Sequence, residues 1–475
     1  MKRSTIQLEV KGSLPAIIKK VLDWHKPHRD KMIGLFNRYD GEGIPIQSRV
    51  IKDPKKPNNK LIHDYRGYII DQVVGYLFGK PIGYQIDKRD YTDAQFKVFK
   101  DKLSDFTVLN AVDDLDGELG KLMSICGYAS RLLYIDTDGN ERIMNVFPWE
   151  SVFIENKGVV TNAIRYYTVK NEKDEDITKV EWYDDSNVMF FIQRDDEFIP
   201  DVSEKHSSHL FNYVPLILFP NNDEEKGDFE KTETLIDAYD KIMSDSVNEI
   251  ETFANAYMKF KGADVDAEVI ENAKQTGAFE VDENGDVDFI TKNINDTFVE
   301  NNKKTLNENI HKFSSSVDMT DEKFSGGSQS GESRKWKMLS LENKAGKKAL
   351  KFSKGLRQQF KVLCSAWARK NIPLNYLDIF WEFKRNVPID LLYIGDYSQK
   401  MKGIHSDRTL FSQIPYIDDV DYELDLMRQE REDSIDLDYF DESIDETKKK
   451  LMQIPEERQE MIPVEGIVKG DSIQK

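Results

Sequence analysis

The sequence predicts an α+β fold in which long helices flank a mostly antiparallel β region. Two observations carry that reading. Apolar residues recur at helical spacing before Arg131 and again after Thr232. Between Arg131 and Pro220 the period drops to two, β-branched and aromatic residues dominate, and Gly, Asn and Asp turns punctuate the run. At 475 residues the chain exceeds one ordinary core, and domain sizes suggest about two to four packed units.

In chain order, Leu14, Ile17, Ile18, Val21, Leu22 and Trp24 outline an amphipathic helix that Pro27 disturbs, and a second helical pattern covers Asp30 to Tyr39. The basic, proline-containing IKDPKKPNNK reads as an exposed loop. Apolar positions from Ile62 to Leu77 predict a largely buried helix stopped by Gly79 and Pro81, and 91–130 continue helical. The β region is expected to be one meander of about five to seven strands, with a hairpin at Asp138-Gly139 and VPLILFPNN as its close. Thr232 to Phe260 then predicts a helix about 40 Å long. A small insertion follows, with a short helix around Asp266 to Lys274 and a hairpin about Asn284-Gly285. Thr297 to Ser314 is helical again, and SSSVDMTDEKFSGGSQSGES, without apolar period, is a flexible loop. Ser333 to Lys370 is a long helix with Phe352, Leu356, Phe360, Leu363 and Trp367 as its buried row. IFWEFKRNVP is one late strand; residues after Pro388 are helical and increasingly acidic, and the last 25 are loosely ordered.

Charge is segregated. The net charge is -19, which argues against a surface that grips nucleic acid everywhere. Yet Ser333–Lys370 carries twelve lysines and arginines against Glu342 alone, a local charge of +11. Asp418–Thr447 carries 14 acids against Arg428 and Arg431, a local charge of -12. Solvated faces account for each run taken singly; together they also suit a zone facing a polyanion, or two subunit surfaces that meet.

Enzyme motifs fail on inspection. Gly326 to Ser333 has phosphate-loop glycine spacing but Glu332 where lysine is required, and GYLFGKP is one spacer short. His25/His28 and His206/His209 lack a zinc context. DENGDVD has Val287 where a calcium loop needs glycine, and Asn293 where it needs glutamate. No G-x-S-x-G elbow occurs. No cofactor, metal site or catalytic residue is therefore expected. Cys126 and Cys364 sit in apolar helical patterns and read as buried free thiols. No apolar run approaches the roughly 20 residues of a membrane span, and MKRSTIQLEV lacks a secretory apolar stretch, so neither membrane insertion nor export is expected.

Four strings carry a family resemblance: GYIIDQVVGYLFGKPIGY, FPWESVFIE, VPLILFPNNDEEKGDFEKTETLIDAYDKIMSDSVNEIETFANAYM and SGESRKWKMLSLENKA. Together, and in this order, they resemble the portal proteins of tailed bacteriophages of the long-tailed siphovirus type. The resemblance implies a phage portal fold with long stem helices, an antiparallel β wing, an inserted small α/β clip and a C-terminal helical crown. Carried onto this chain, the wing is 1–231, stem helices are 232–260 and 297–316, and the clip is 261–296. The tunnel loop is 317–332, the long wing helix and strand are 333–387, the crown is 388–450 and a flexible tail is 451–475.

It further implies a non-enzymatic homo-oligomeric ring, usually of twelve copies, at one capsid vertex. That ring would pass double-stranded DNA irrespective of sequence during packaging and ejection. Implied partners are the large terminase, head-completion or adaptor proteins, scaffold and major capsid protein, with assembly in the host cytoplasm. Loop residues Lys323, Phe324, Ser325 and Gln329 would face DNA, as would Lys303, Lys304, His311 and Lys312 of the stem and Arg334 and Lys335 beside the loop. Asp264, Asp266, Glu268, Glu283, Asn284 and Asp286 would form the clip's docking surface. The basic helix is expected chiefly to neutralise acids of a neighbouring subunit. Rival readings are a metal-dependent nucleic-acid-processing enzyme and a purely structural shell protein.

Overall fold

The computed structural model describes residues 2–54, 56–89, 91–254, 257–261, 266–276, 286–290, 296–320, 336–387, 391–412, 414, 417, 420 and 422–431. The chain divides into two compact units, Met1–Val387 and Pro388–Lys475. In the first, β1 (Thr5–Gln7) precedes α1 (Leu14–Tyr39), α2 (Tyr65–Phe78), β2 (Gly83–Ile86), α3 (Asp93–Leu109) and α4 (Val112–Cys126). The β region then runs β3 (Tyr128–Ile135), β4 (Glu141–Val146), β5 (Ser151–Asn156), β6 (Val159–Lys170), β7 (Asp176–Tyr183), β8 (Asn187–Arg194), β9 (Glu197–Pro200), β10 (Ser207–Ser208) and β11 (Leu216–Pro220). Last come α5 (Glu233–Ala254), β12 (Tyr257–Lys261), α6 (Ala267–Thr276), β13 (Asp286–Ile290), α7 (Asp296–Ser314), α8 (Leu339–Arg369) and β14 (Ile379–Glu382). The second unit contains the helices Leu391–Met401 and Asp407–Ser412, with 422–431 also helical.

The single meander expected from the period of two is two sheets. Strands β5 to β8 pair antiparallel in sequence, β9 and β10 both pair with β8, and β1 joins β5 in parallel at the far edge. The first hairpin, β3–β4, instead pairs with β11 in a separate three-stranded sheet. Alternation fixes which side chains share a face but not which sheet a hairpin joins, and that choice falls to the long return of β11. The Asp138-Gly139 turn is as expected: Gly139 has φ +82°, and Asp136 accepts from the amides of Asp138 and Asn140. β2 escaped the sequence reading altogether; it pairs antiparallel with β14.

Helix α1 continues through Pro27, where two helices were expected. Pro27 lies on the exposed face, and both flanking turns are held by packing. Ile17, Ile18 and Val21 join Val152, Ile164 and Trp182 of the large sheet, while Met32 and Leu35 join Ile69, Ile70 and Leu132. Tertiary burial on both sides outweighs the missing N–H. Two turns before Met32, fully buried His25 sits between Tyr166 Oη, 2.7 Å from Nδ1, and Tyr128 Oη, 3.1 Å from Nε2. Because Tyr128 donates to Pro148 O, it accepts from His25 Nε2. Burial lowers the imidazole's pKa to about 3.

Helix α8 is the spine of the largest core. Phe352, Leu356, Phe360, Leu363 and Trp367 form the expected buried row and pack with Phe106, Leu119, Met123 and Phe219. Gly355 is required here, since a Cβ would lie 2.3 Å from the Phe219 ring. Cys126 and Cys364 are buried free thiols. Most basic residues of α8 find partners within their own chain, which among the described residues leaves only Lys347 and Lys354 of the helix for the expected acids of a neighbouring subunit. Lys351 bonds Asp223 at 2.5 Å, Arg357 donates to the carbonyls of Tyr376 and Ile379, and Lys361 lies 4.2 Å from the Tyr213 ring centroid. Arg369 donates to Asn212, and Lys370 pairs with Glu141.

The deepest of these pairs is Lys348 with Asp228, 2.6 Å apart and nearly inaccessible. Asp228 belongs to the connector between β11 and α5. Gly227 lets that backbone approach α4, where Asp228 N donates to Ser124 O at 2.8 Å. Lys348 also donates to Ser124 Oγ, and Lys344 lies 3.4 Å from Asp228. Two lysines facing one carboxylate hold Asp228 down at about pKa 2 against its burial. Burial and the repulsion of Lys344 bring Lys348 down to about 8, still charged at neutral pH. In the same connector, buried Glu225 accepts from the Arg3 and Ser4 amides and from Ser4 Oγ, and Glu230 accepts from Arg3 and Lys31.

Lys348→Met removes the nearer of Asp228's two lysines and leaves only Lys344 at 3.4 Å, and is expected to cost about 1–3 kcal/mol in chemical denaturation. Replacing both residues with Leu and Met is expected to recover much of that loss. For His25 the folded pKa lies below the unfolded value of 6.5, so the unfolded chain binds the extra proton first. Stability is therefore full above about pH 6.5 and declines toward pH 3. The thermal midpoint should fall across that window, with a shallower slope for His25→Gln, measured by circular dichroism.

Candidate functional site

Helices α5 and α7 pack side by side and are joined through an inserted unit. Strand β12 begins three residues after α5, pairs antiparallel with β13, and α6 lies between those strands in sequence. The long helix expected to reach Phe260 thus ends at Ala254, and Tyr257–Lys261 is strand. The partner of Asp286–Ile290 is this strand; the other arm of the expected hairpin lies outside the described residues.

The base of α5 is fastened to the rest of the first unit by charge. Arg66, 1 % exposed, pairs with Asp237 at 2.5 Å, and Arg38 reaches both Glu233 and Asp237. Fully buried Asp240 accepts from both the backbone amide and Nδ1 of His63. Arg49 pairs with Asp245 one turn further along. Tyr239 meets His63 and Tyr65 edge-on, at 4.9 and 5.1 Å between ring centroids.

Helix α7 ends at Ser314, and Ser315 reverses the chain with φ +59°. Lys344 donates to the carbonyl of Ser314 at 2.8 Å, placing a cation at the helix C-terminus where the exposed carbonyls favour it. The chain entering 321–335 is then clamped to α2. Gln72 exchanges two hydrogen bonds with Val317, each 2.7 Å, and Tyr68 Oη donates to Val317 O while accepting from Met319 N. Asp318 accepts from Asn307 and from both the amide and hydroxyl of Thr320. Where the chain returns, Leu341 packs with Val317 and Val73, and Met338 packs against them. Val317 and Met319 on one side, and Leu341 on the other, are therefore held to one helix.

The sequence-predicted site residues fall as follows. Lys303 is paired with Glu300 at 2.9 Å, Lys304 is exposed with no hydrogen bond or ion pair among the described residues, and Lys312 is exposed with Nζ 5.9 Å from the Phe313 ring centroid. His311 is buried: Nδ1 lies 2.8 Å from Ser316 Oγ, and its ring meets Tyr65 and Tyr68 edge-on. Burial lowers its pKa, so near neutral pH it offers solvent no positive charge. Asp266 caps α6, accepting from the amides of Glu268 and Val269, and Glu268 is exposed in the first turn. Asp286 opens β13 opposite Lys261. Asp264, Glu283, Asn284, Lys323, Phe324, Ser325, Gln329, Arg334 and Lys335 lie outside the described residues.

Tyr65, Tyr68, Tyr239, His63 and His311, with Lys303 and Lys304, line a groove of about 740 Å³ beside the clamp. Among the described residues, no group of three or more His, Cys, Asp or Glu side chains gathers as metal ligands would, and no helix is long and apolar enough to cross a membrane. Sequence reasoning missed the Gln72–Val317 clamp. Its signal was present, because Gln72 interrupts an otherwise apolar helical run.

Comparison with known proteins identifies the chain's relatives. The family described as "Phage portal protein, SPP1 Gp6-like" matches residues 18–437. The portal protein of Bacillus phage SPP1 is 25 % identical over 339 residues, covering 68 % of this chain and 64 % of that protein. The portal protein of Clostridium phage phiCD119 is 24 % identical over 416 residues, covering 81 % of this chain and 88 % of its own. The chain belongs to this phage portal protein family.

Gln72→Ala removes two hydrogen bonds from Val317, and Tyr68→Phe removes two more from the same segment. Hydrogen exchange at the Val317 and Met319 amides is expected to quicken at least tenfold in the double variant, about 1.4 kcal/mol in opening energy. Exchange in β5 to β7 should not change.

Proposed function

We propose that this member of the portal family is the protomer of a ring of about twelve copies at one capsid vertex, through which double-stranded DNA enters and leaves. The observation that carries this reading is the α5–α7 pair. Two helices are packed side by side, fastened at one end to the two-sheet body and interrupted by a unit with its own strand pairing. They are the stem, 261–296 is the clip, 317–332 the tunnel loop, and 1–231 with 333–387 the wing. The crown is 388–450.

A conduit must touch every sequence and hold none, so contacts to sugar and phosphate suit it and base readout does not. The charge balance favours sliding: the chain is net acidic, and most of the lysines and arginines of α8 are bonded internally. Lys304 and Lys312 are exposed cations of the second stem helix offered to the duplex, with the loop residues 323–325 and 329. Energy for movement is assigned to the large terminase, which docks on the clip before head-completion proteins replace it. Scaffold and major capsid protein meet the assembly at its rim, in the host cytoplasm. The comparisons lend no support to a metal-dependent nucleic-acid-processing enzyme.

Native mass spectrometry of the purified protein is expected to show a closed species of about twelve protomers. A monomer or dimer under every assembly condition would contradict the proposal.

A further inference from the structure

Helix α8 is buried along most of its circumference, yet one narrow stripe faces outward for about five turns: Ser340, Asn343, Lys347, Leu350, Lys354 and Gln358. The spacing alternates between three and four residues, the pattern of a helix that meets a second helical surface. At its centre Leu350 is 73 % exposed, flanked by exposed Lys347 and Lys354. Lys2 and Lys354 also act on Asp223, the carboxylate held by Lys351, so three lysines gather around this aspartate beside the bare leucine. Among the described residues, no hydrogen bond or ion pair engages Lys347 or Lys354.

A patch of opposite character lies at the α3–α4 corner. Val108 is 78 % and Leu109 48 % exposed, and they stand beside exposed Asp105, Asp113 and Asp114. The corner is a tight one: Ala111 takes φ +45°, and Asn110 fastens it to β4 by donating to Glu141 O and accepting from Ile143 N. It lies beside β4, whereas the lysine surface lies beside the connector after β11. The two patches are distinct places on one chain, each with an apolar centre and charges of opposite sign.

We infer that the α3–α4 corner of one copy seats on the α8 stripe of the next, Val108 and Leu109 covering Leu350 while Asp105, Asp113 and Asp114 face Lys347 and Lys354. The contact is heterologous, so each copy offers both halves, and repeated head-to-tail it generates a ring when the rotation between copies closes. This rests on the ring reading above and adds its seam. Apolar cover supplies the attraction; the charged rim fixes register and rejects the reversed approach, since like charges would meet.

The test compares the full chain with Lys347→Glu/Lys354→Glu, and with that variant carrying Asp105→Lys, Asp113→Lys and Asp114→Lys in addition. All five positions are exposed, and unchanged circular dichroism and thermal midpoint verify the fold. Native mass spectrometry reads the ring fraction at matched concentration. The double charge reversal is expected to lower it at least tenfold, and the compensating reversal to restore it. Rings at undiminished yield in the double variant, or no recovery on compensation, would overturn the seam while leaving the ring standing. Failure of the unsubstituted chain to form any ring would overturn both.

Discussion

The connector between β11 and α5 is the constraint on which the rest of the structure depends. Within ten residues it ties down the N-terminal strand through Glu225, α1 and Arg3 through Glu230, and the long helix α8 through Asp228. It can do so because Gly227 allows close backbone contact with α4, where any Cβ would meet the Ile125 carbonyl at 2.2 Å. A buried ion pair seldom adds net stability over an apolar substitute, but it strongly disfavours arrangements that leave one charge alone. Here the pair specifies a position. It sets α8 against the start of the stem, so the α5–α7 pair and the wing share one frame.

From that frame the loop clamp follows. Lys344, on the same face of α8 as Lys348, reaches both Asp228 and the C-terminal carbonyl of α7. The wing helix, the connector and the second stem helix thus meet around two lysines separated by one helical turn. Beyond Ser314 the chain passes to α2, where Gln72 and Tyr68 hold Val317, and it returns beside the same helix at Leu341. Val317 at the start of the proposed tunnel loop and Leu341 after it are thus held against one helix.

Much of this was legible in the sequence, and the failures have physical causes. The buried row of α8 followed directly from its spacing, and the Asp138-Gly139 turn from glycine's freedom at positive φ. The division of the β region into two sheets did not, because alternation carries no information on which non-local strand a hairpin joins. Pro27 misled for a related reason: its local cost was visible, whereas the packing of Ile18 and Leu35 on either side was not. The charge of α8 was the most instructive case. A count of +11 over Ser333–Lys370 suggested a surface in search of acids, but Lys348, Lys351 and Lys370 find theirs in the same chain, at Asp228, Asp223 and Glu141. Likewise His311 counted as a stem cation in the sequence and is a neutral, buried member of the clamp. Three of the four strings that carried the family resemblance fall on α2, the connector and the start of α8, and the fourth falls on β5.

The central claim is that copies of this chain enclose a lumen bordered by the α5–α7 pair. A cryo-electron microscopy reconstruction of the purified assembly tests it most directly. The account predicts a hollow annulus that admits a B-form duplex, with α5 and α7 on its inner wall. A solid particle, or an annulus with those helices on its outer perimeter, would contradict it.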